Sequence, residues 1–119
     1  MSDEESVDID LTRLREVASG CGWSLAELSA FYTPRAQAEV RGVSEALAAG
    51  DLATVARLAH GAAGSSATLG MDSLATRFRA ISADAPRLSS SQLTERIADV
   101  DGHLARVLAR LAELVRSEL

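Results

Sequence analysis

His60 sits in surroundings that ask for a chemical explanation. By the spacing rule for helical neighbours, Ala53, Ala56, Arg57, His60, Ala63, Gly64 and Ala67 share one face of a helix. A solvated helix face normally carries Glu, Lys, Arg and Gln. This strip carries alanine and glycine around one imidazole and one guanidinium. Gly64 in mid-helix costs about 1 kcal/mol relative to alanine and leaves a shallow notch one turn beyond His60. Two readings of the strip stand side by side. Either it is open, so that a partner comes close to the ring, or its alanines form a second helix–helix contact and His60 is partly buried. The open reading suits nucleophilic chemistry. A neutral imidazole, abundant near pH 7, can attack phosphorus with one nitrogen while the other keeps its proton. Phosphoryl transfer needs positioning and charge compensation more than covalent machinery. No acidic cluster near His60 suits a magnesium ion, so metal and catalytic groups are expected from a partner, and no metal site or cofactor is expected in the chain itself.

The elements that position this residue follow from periodicity. A short helix near 10–18 carries Leu11, Leu14 and Val17 and ends at Ser19-Gly20. Ser24 with Glu27 forms a capping-box pattern. Leu25, Leu28, Tyr32, Ala36, Val40, Val43 and Leu47 then mark a long helix near 24–49, within which Pro34 predicts a kink near Ala30 or a break near Thr33. Gly50 stops it. Asp51 caps the next helix, near 51–69, whose buried stripe is Leu52, Val55, Ala59, Ala62, Ser66 and Leu69. After Gly70, Asp72 caps a helix near 72–82 with Leu74, Phe78 and Ile81 as its apolar edge. A Pro- and Ser-containing loop covers 83–91. Leu93, Ile97, Val100, Leu104, Val107, Leu111 and Leu114 form a sustained heptad stripe near 91–117. There is no strand alternation and no internal repeat. The expected fold is all-α: an antiparallel four-helix bundle with a short additional N-terminal helix, in one domain over 9–119 preceded by a disordered acidic tail at 1–8.

Composition narrows the function. The chain has 119 residues, 17 acids against 12 bases and a net charge of −5. Every base is arginine, since lysine is absent, and asparagine is absent too. With abundant alanine, this bias resembles the output of a GC-rich bacterial genome. An acidic domain with no basic stripe argues against nucleic-acid binding, and lysine chemistry is excluded. No apolar run approaches a membrane span, and Asp3, Glu4 and Glu5 do not begin a signal peptide. Cys21, the single cysteine, closes no intramolecular disulfide and fits a reducing cytoplasm. Trp23 is expected to pack the first turn over the bundle end. His103 is expected as a solvated surface residue, off the heptad stripe, and Ser65 and Ser66 as close-packing residues that bond back to the helix.

The segment His60-Gly61-Ala62-Ala63-Gly64-Ser65-Ser66-Ala67-Thr68-Leu69-Gly70 resembles the signature of histidine-containing phosphotransfer (HPt) domains, His-x-Leu-Lys-Gly-Ser-Ser/Ala-x-x-Leu-Gly. His60, Gly64, Ser65, Leu69 and Gly70 match in register. Upstream, Ala46-Leu47-Ala48-Ala49-Gly50-Asp51 is similar to the family's Ala-Leu-x-x-Gly-Asp turn, and Arg57-Leu58-Ala59-His60 to its lead-in. Ile9-Asp10-Leu11 and Leu14 resemble the short N-terminal helix. The chain departs from the pattern at Ala62 and Ala63, where the family has leucine and lysine, and at Thr68 and Ser82.

The resemblance implies a phosphocarrier rather than a stand-alone enzyme. His60 would accept a phosphoryl group from a receiver aspartate and pass it to another receiver. The partners would be response-regulator receiver domains or a hybrid histidine kinase, the place the cytoplasm and the state a monomer. Arg57, one turn before His60, is the nearest replacement for the missing lysine in stabilising the phosphoryl group. The rest of the strip (Ala53, Ala56, Ala63, Gly64, Ala67) would dock the partner. Two alternatives remain: an HPt-like module that docks a receiver or kinase without efficient transfer, and a purely structural bundle. Met1 and the closing helix favour a stand-alone protein over a module cut from a longer one.

Overall fold

In a computed structural model, residues 9–118 are described. The proposed acidic tail at 1–8 lies outside them. The order is α1 (Leu11–Cys21), α2 (Leu25–Ala48), α3 (Leu52–Thr68), α4 (Asp72–Asp84) and α5 (Ser90–Ser117), with no strand among the described residues.

Local chemistry starts four of the five helices. The Asp10 carboxylate accepts the Arg13 amide at 3.1 Å. Ser24 and Glu27 form the reciprocal capping box, at 3.0 and 2.8 Å. Asp51 accepts both the Thr54 amide and its hydroxyl, at 3.1 and 2.7 Å. Ser89 and Gln92 make a second box, at 3.1 and 2.9 Å. Each satisfies amide donors that a helix N-terminus otherwise leaves open. Asp72 departs from expectation. The cap position is Met71, which makes no side-chain cap bond, and Asp72 is the first helical residue. Its carboxylate instead accepts from Arg13 Nη1 at 2.9 Å.

Three further local readings change. α1 continues through Gly20 and Cys21 and closes at Gly22, φ 72°. The α4–α5 loop is shorter than 83–91, because α4 reaches Asp84 and the Ser89 box starts α5 at Ser90. α2 does not break at Thr33; it is continuous across Pro34. Proline removes the bond to the carbonyl four residues earlier. Ala30 and Pro34 are both exposed, so that carbonyl lies on the wet side of the helix.

The core is assembled from the expected stripes. Leu93, Val100, Leu104, Val107 and Leu111 of α5 join Val43 of α2, Val55, Ala59 and Ala62 of α3, and Leu74, Phe78 and Ile81 of α4. α3 packs on α4 and α2, α5 packs on α2 and α4, and α1 lies against α2 and α3. Two assignments fail. Leu52 is 38% exposed, because it opens α3 beyond the packed turns. His103 is fully buried, not solvated. It follows Val100 by three residues and precedes Val107 by four, and the buried wedge of α5 is wide enough to include it. Its Nε2 meets Ser73 Oγ of α4 at 2.7 Å.

α1 is stitched over the α3–α4 turn. The Asp10 amide donates to the Gly70 carbonyl at 2.9 Å, and Arg13 Nη1 donates to the Ala67 carbonyl at 2.9 Å. Gly70 has φ 80°, and a Cβ there would stand 2.7 Å from the Asp10 carbonyl oxygen. Both the turn and the approach of α1 therefore require glycine.

Candidate functional site

α3 carries the site, and its register divides the predicted strip in two. Ala53, Arg57, His60 and Gly64 are exposed, together with Gly61 and Thr68. Ala56 and Ala67 are half-buried, and the Ala67 carbonyl is held by Arg13. Ala63 is a correction: at 2% exposure it belongs to the core, not to the open strip. Residues four turns apart on a 3.6-residue helix drift around the axis. The members of the strip that drift one way turn inward, while Gly61 and Thr68 take the outward place. Gly61 was missed in the sequence reading, although a glycine directly after the histidine, in mid-helix, was the available signal.

Access to the imidazole is the main geometric feature. A Cβ built on Gly61 or on Gly64 would meet nothing within 4 Å. Neither glycine has a positive φ, so neither is required by the backbone. Two glycines in the middle of α3 cost about 2 kcal/mol relative to alanines, and packing returns nothing for them. Among the described residues, neither His60 nor Arg57 has a hydrogen-bond or ion-pair partner in the protein. The imidazole is an unblocked nucleophile, and the guanidinium three residues earlier on the same face, within electrostatic reach of the Asp51 carboxylate, has no hydrogen bond that would keep it from a second anion.

The flank towards α2 is built from polar groups. Ser65 Oγ donates to Glu39 Oε2 at 2.9 Å and also approaches the Ala62 carbonyl at 3.2 Å, so its bond back to the helix is one of two. Burial pushes the Glu39 carboxyl above its usual range, with the Ser65 bond and the Arg35 charge partly opposing. Ser66 is fully buried as a close-packing residue, but its hydroxyl makes no bond back to the helix. On the upstream side the Thr54 bonds hold the Asp51 carboxyl below its usual range. Cys21 is exposed, and among the described residues no three of His, Cys, Asp and Glu gather where they could hold a metal ion. No helix among the described residues is long and apolar enough to cross a membrane.

A family model described as the Hpt domain matches residues 27–117. No curated protein and no solved structure matches the chain. The match begins in the first turn of α2 and ends with α5, so it takes in the exposed histidine and all four of the longer helices, while α1 precedes it. An all-helical chain that presents an unblocked imidazole in mid-helix, matched over most of its length, belongs to the Hpt domain family, the histidine phosphotransfer modules of phosphorelays.

Proposed function

We propose that His60 is the phosphoacceptor, loaded from the aspartyl phosphate of a receiver domain and unloaded onto the aspartate of another. A neutral ring nitrogen attacks phosphorus, the N–P bond forms, the acyl O–P bond breaks, and the aspartate leaves as carboxylate. The other ring nitrogen keeps its proton until the transferred group is seated. The observation that carries the reading is the exposure of His60 beside two glycines, Gly61 and Gly64, whose missing side chains leave the ring open. Arg57 offers charge to the phosphoryl oxygens, while magnesium and the remaining charge compensation come from the receiver. Ala53, Gly61, Gly64 and Thr68 form the docking surface around the ring, with Ala56 and Ala67 at its edge. A cytoplasmic monomer meeting receivers or a hybrid kinase fits this role. We read the helices as an antiparallel four-helix bundle with α1 added outside. The pairing of Gly42 with Leu58 and of Glu39 with Ser65, in which α2 runs down as α3 runs up, supports that arrangement.

The test is incubation with phosphorylated receivers, followed by mapping of acid-labile, base-stable phosphate. His60→Gln abolishes incorporation and leaves thermal stability nearly unchanged. Phosphate found on His103 or on a serine overturns the assignment. A module that docks without transfer is the second reading. It is favoured by the alanine that replaces the family's lysine and lies in the core, which leaves Arg57 as the cation on the His60 face. Receiver binding that survives in His60→Gln, with no phosphate on the unmodified protein, would establish it.

A further inference from the structure

Three of the four aromatic residues, Trp23, Phe31 and Tyr32, line one cleft, away from the imidazole. It lies between the end of α1, the first half of α2 and the end of α3, and encloses about 480 Å³, a volume within the range of small-molecule sites. The Trp23 and Phe31 rings are 5.2 Å apart at 57°, and the Arg35 guanidinium stands 4.9 Å from the Phe31 centroid. Phe31 is 49% exposed, the largest exposure among the large apolar side chains described.

The inner end of the cleft is polar and unfinished. Tyr32 is 4% exposed, yet its hydroxyl has no hydrogen-bond partner. Glu39 Oε1 is buried and also unpartnered, because Ser65 occupies the other oxygen. Ser66 Oγ, next to Tyr32 but not part of the cleft lining, is a third such atom. Burial pushes the Tyr32 phenol up to about 12, and the neighbouring Ser66 hydroxyl offsets this in part. Buried polar atoms are nearly always satisfied, and each one left open costs its desolvation. A second groove between α2 and α5, lined by Val40, Arg41, Ile97 and Asp101, contains no such atom.

We propose that this cleft binds a small, neutral aromatic molecule that carries an N–H or O–H donor at its inner end. The flat body lies against Trp23, Phe31, Leu28 and Leu69. The donor meets Glu39 Oε1, which as a carboxylate oxygen only accepts, and Tyr32 supplies a hydroxyl that accepts or donates. Arg35 already lies within electrostatic reach of Glu39 and stands at the mouth. A cationic ligand would face that guanidinium, so the site suits a neutral donor. The inference does not depend on phosphotransfer at His60.

The experiment titrates the full chain with indole, followed by amide and Trp23 indole resonances in two-dimensional NMR. 1-Methylindole, which has the same shape without the donor, is the control. Saturable shifts at Trp23, Ser65 and Thr68 with a Kd below about 1 mM, and binding of 1-methylindole at least fivefold weaker, are expected. Phe31→Ala, at an exposed position, removes the aromatic wall and abolishes saturation. Tyr32→Phe weakens indole about threefold or more and leaves 1-methylindole unchanged. Glu39→Leu removes the acceptor and the preference for indole, whereas Glu39→Gln, which retains an acceptor oxygen, stays within about twofold of the unmodified protein. His60→Gln binds indole normally, which separates this site from the phosphoacceptor. Absence of saturable shifts, equal binding of the two probes, or indifference to Tyr32→Phe and Phe31→Ala overturns the proposal and leaves ordered water as the partner of these atoms.

Discussion

Gly64 separates what the fold needs from what docking needs. It lies in the middle of α3, exposed, with ordinary helical backbone and no atom within 4 Å of a Cβ built on it. Alanine there gains the full propensity difference, about 0.8–1 kcal/mol, and glutamine about half of that. For a domain of this length, 1 kcal/mol shifts Tm by about 4 °C. Gly64→Ala is therefore expected to raise Tm by about 4 °C and Gly64→Gln by about 2 °C. The glutamine side chain would stand one turn from His60, in the space an incoming receiver needs. Transfer from a phosphorylated receiver should fall tenfold or more, equivalent to about 1.4 kcal/mol of lost docking or transition-state binding. Gly20 supplies the control. It is exposed in α1 with nothing within 4 Å of its Cβ position, on a different helix from His60. Gly20→Gln should raise Tm slightly and leave transfer unchanged. Circular dichroism melts and quenched-flow phosphotransfer measure both quantities. A Gly64→Gln protein that is more stable and transfers at the unmodified rate would show that the surface around Gly64 is not the docking surface. A less stable one would refute the open-space argument.

Four other expectations follow from the geometry. Ala63→Lys forces a long side chain into a position only 2% exposed, so it should cost about 1–3 kcal/mol in denaturant unfolding. Arg57→Ala, on the exposed face, should leave stability unchanged and slow transfer about threefold to fivefold; an unchanged rate would assign all charge compensation to the receiver. Glu39 has a folded pKa raised above its usual 4.5 by burial, so its contribution to stability is fully present below that value and is lost as pH rises through the folded pKa. Glu39→Gln should accordingly be more stable than the unmodified protein at pH 7 and equal to it below about pH 4; a loss at pH 7 would contradict this. Gly70→Ala meets both a positive φ and the Asp10 carbonyl oxygen at 2.7 Å. It should cost about 1–3 kcal/mol and raise hydrogen exchange in α1 first.

The sequence by itself determined most of the helices. Caps at Ser24 and Asp51, glycines at 50 and 70, and steps of three and four along α2 and α5 are local signals, and local hydrogen bonding acts on them directly. It also singled out His60, because a histidine set among alanines and glycines on a helix lacks the usual character of either a core or a solvated face. Burial at the margins of each face was decided only by the tertiary structure. Ala63 and His103 turned inward and Leu52 outward because burial depends on where neighbouring helices end and how wide their contact is. The continuity of α2 through Pro34 was decided in the same way, since a proline is tolerated where its freed carbonyl meets water. The unsatisfied group of Tyr32, Glu39 and Ser66 has no signature in the sequence at all. It exists because α2 and α3 bring residues 26 or more positions apart against one another, and only packing decides which polar atoms are then left without a partner.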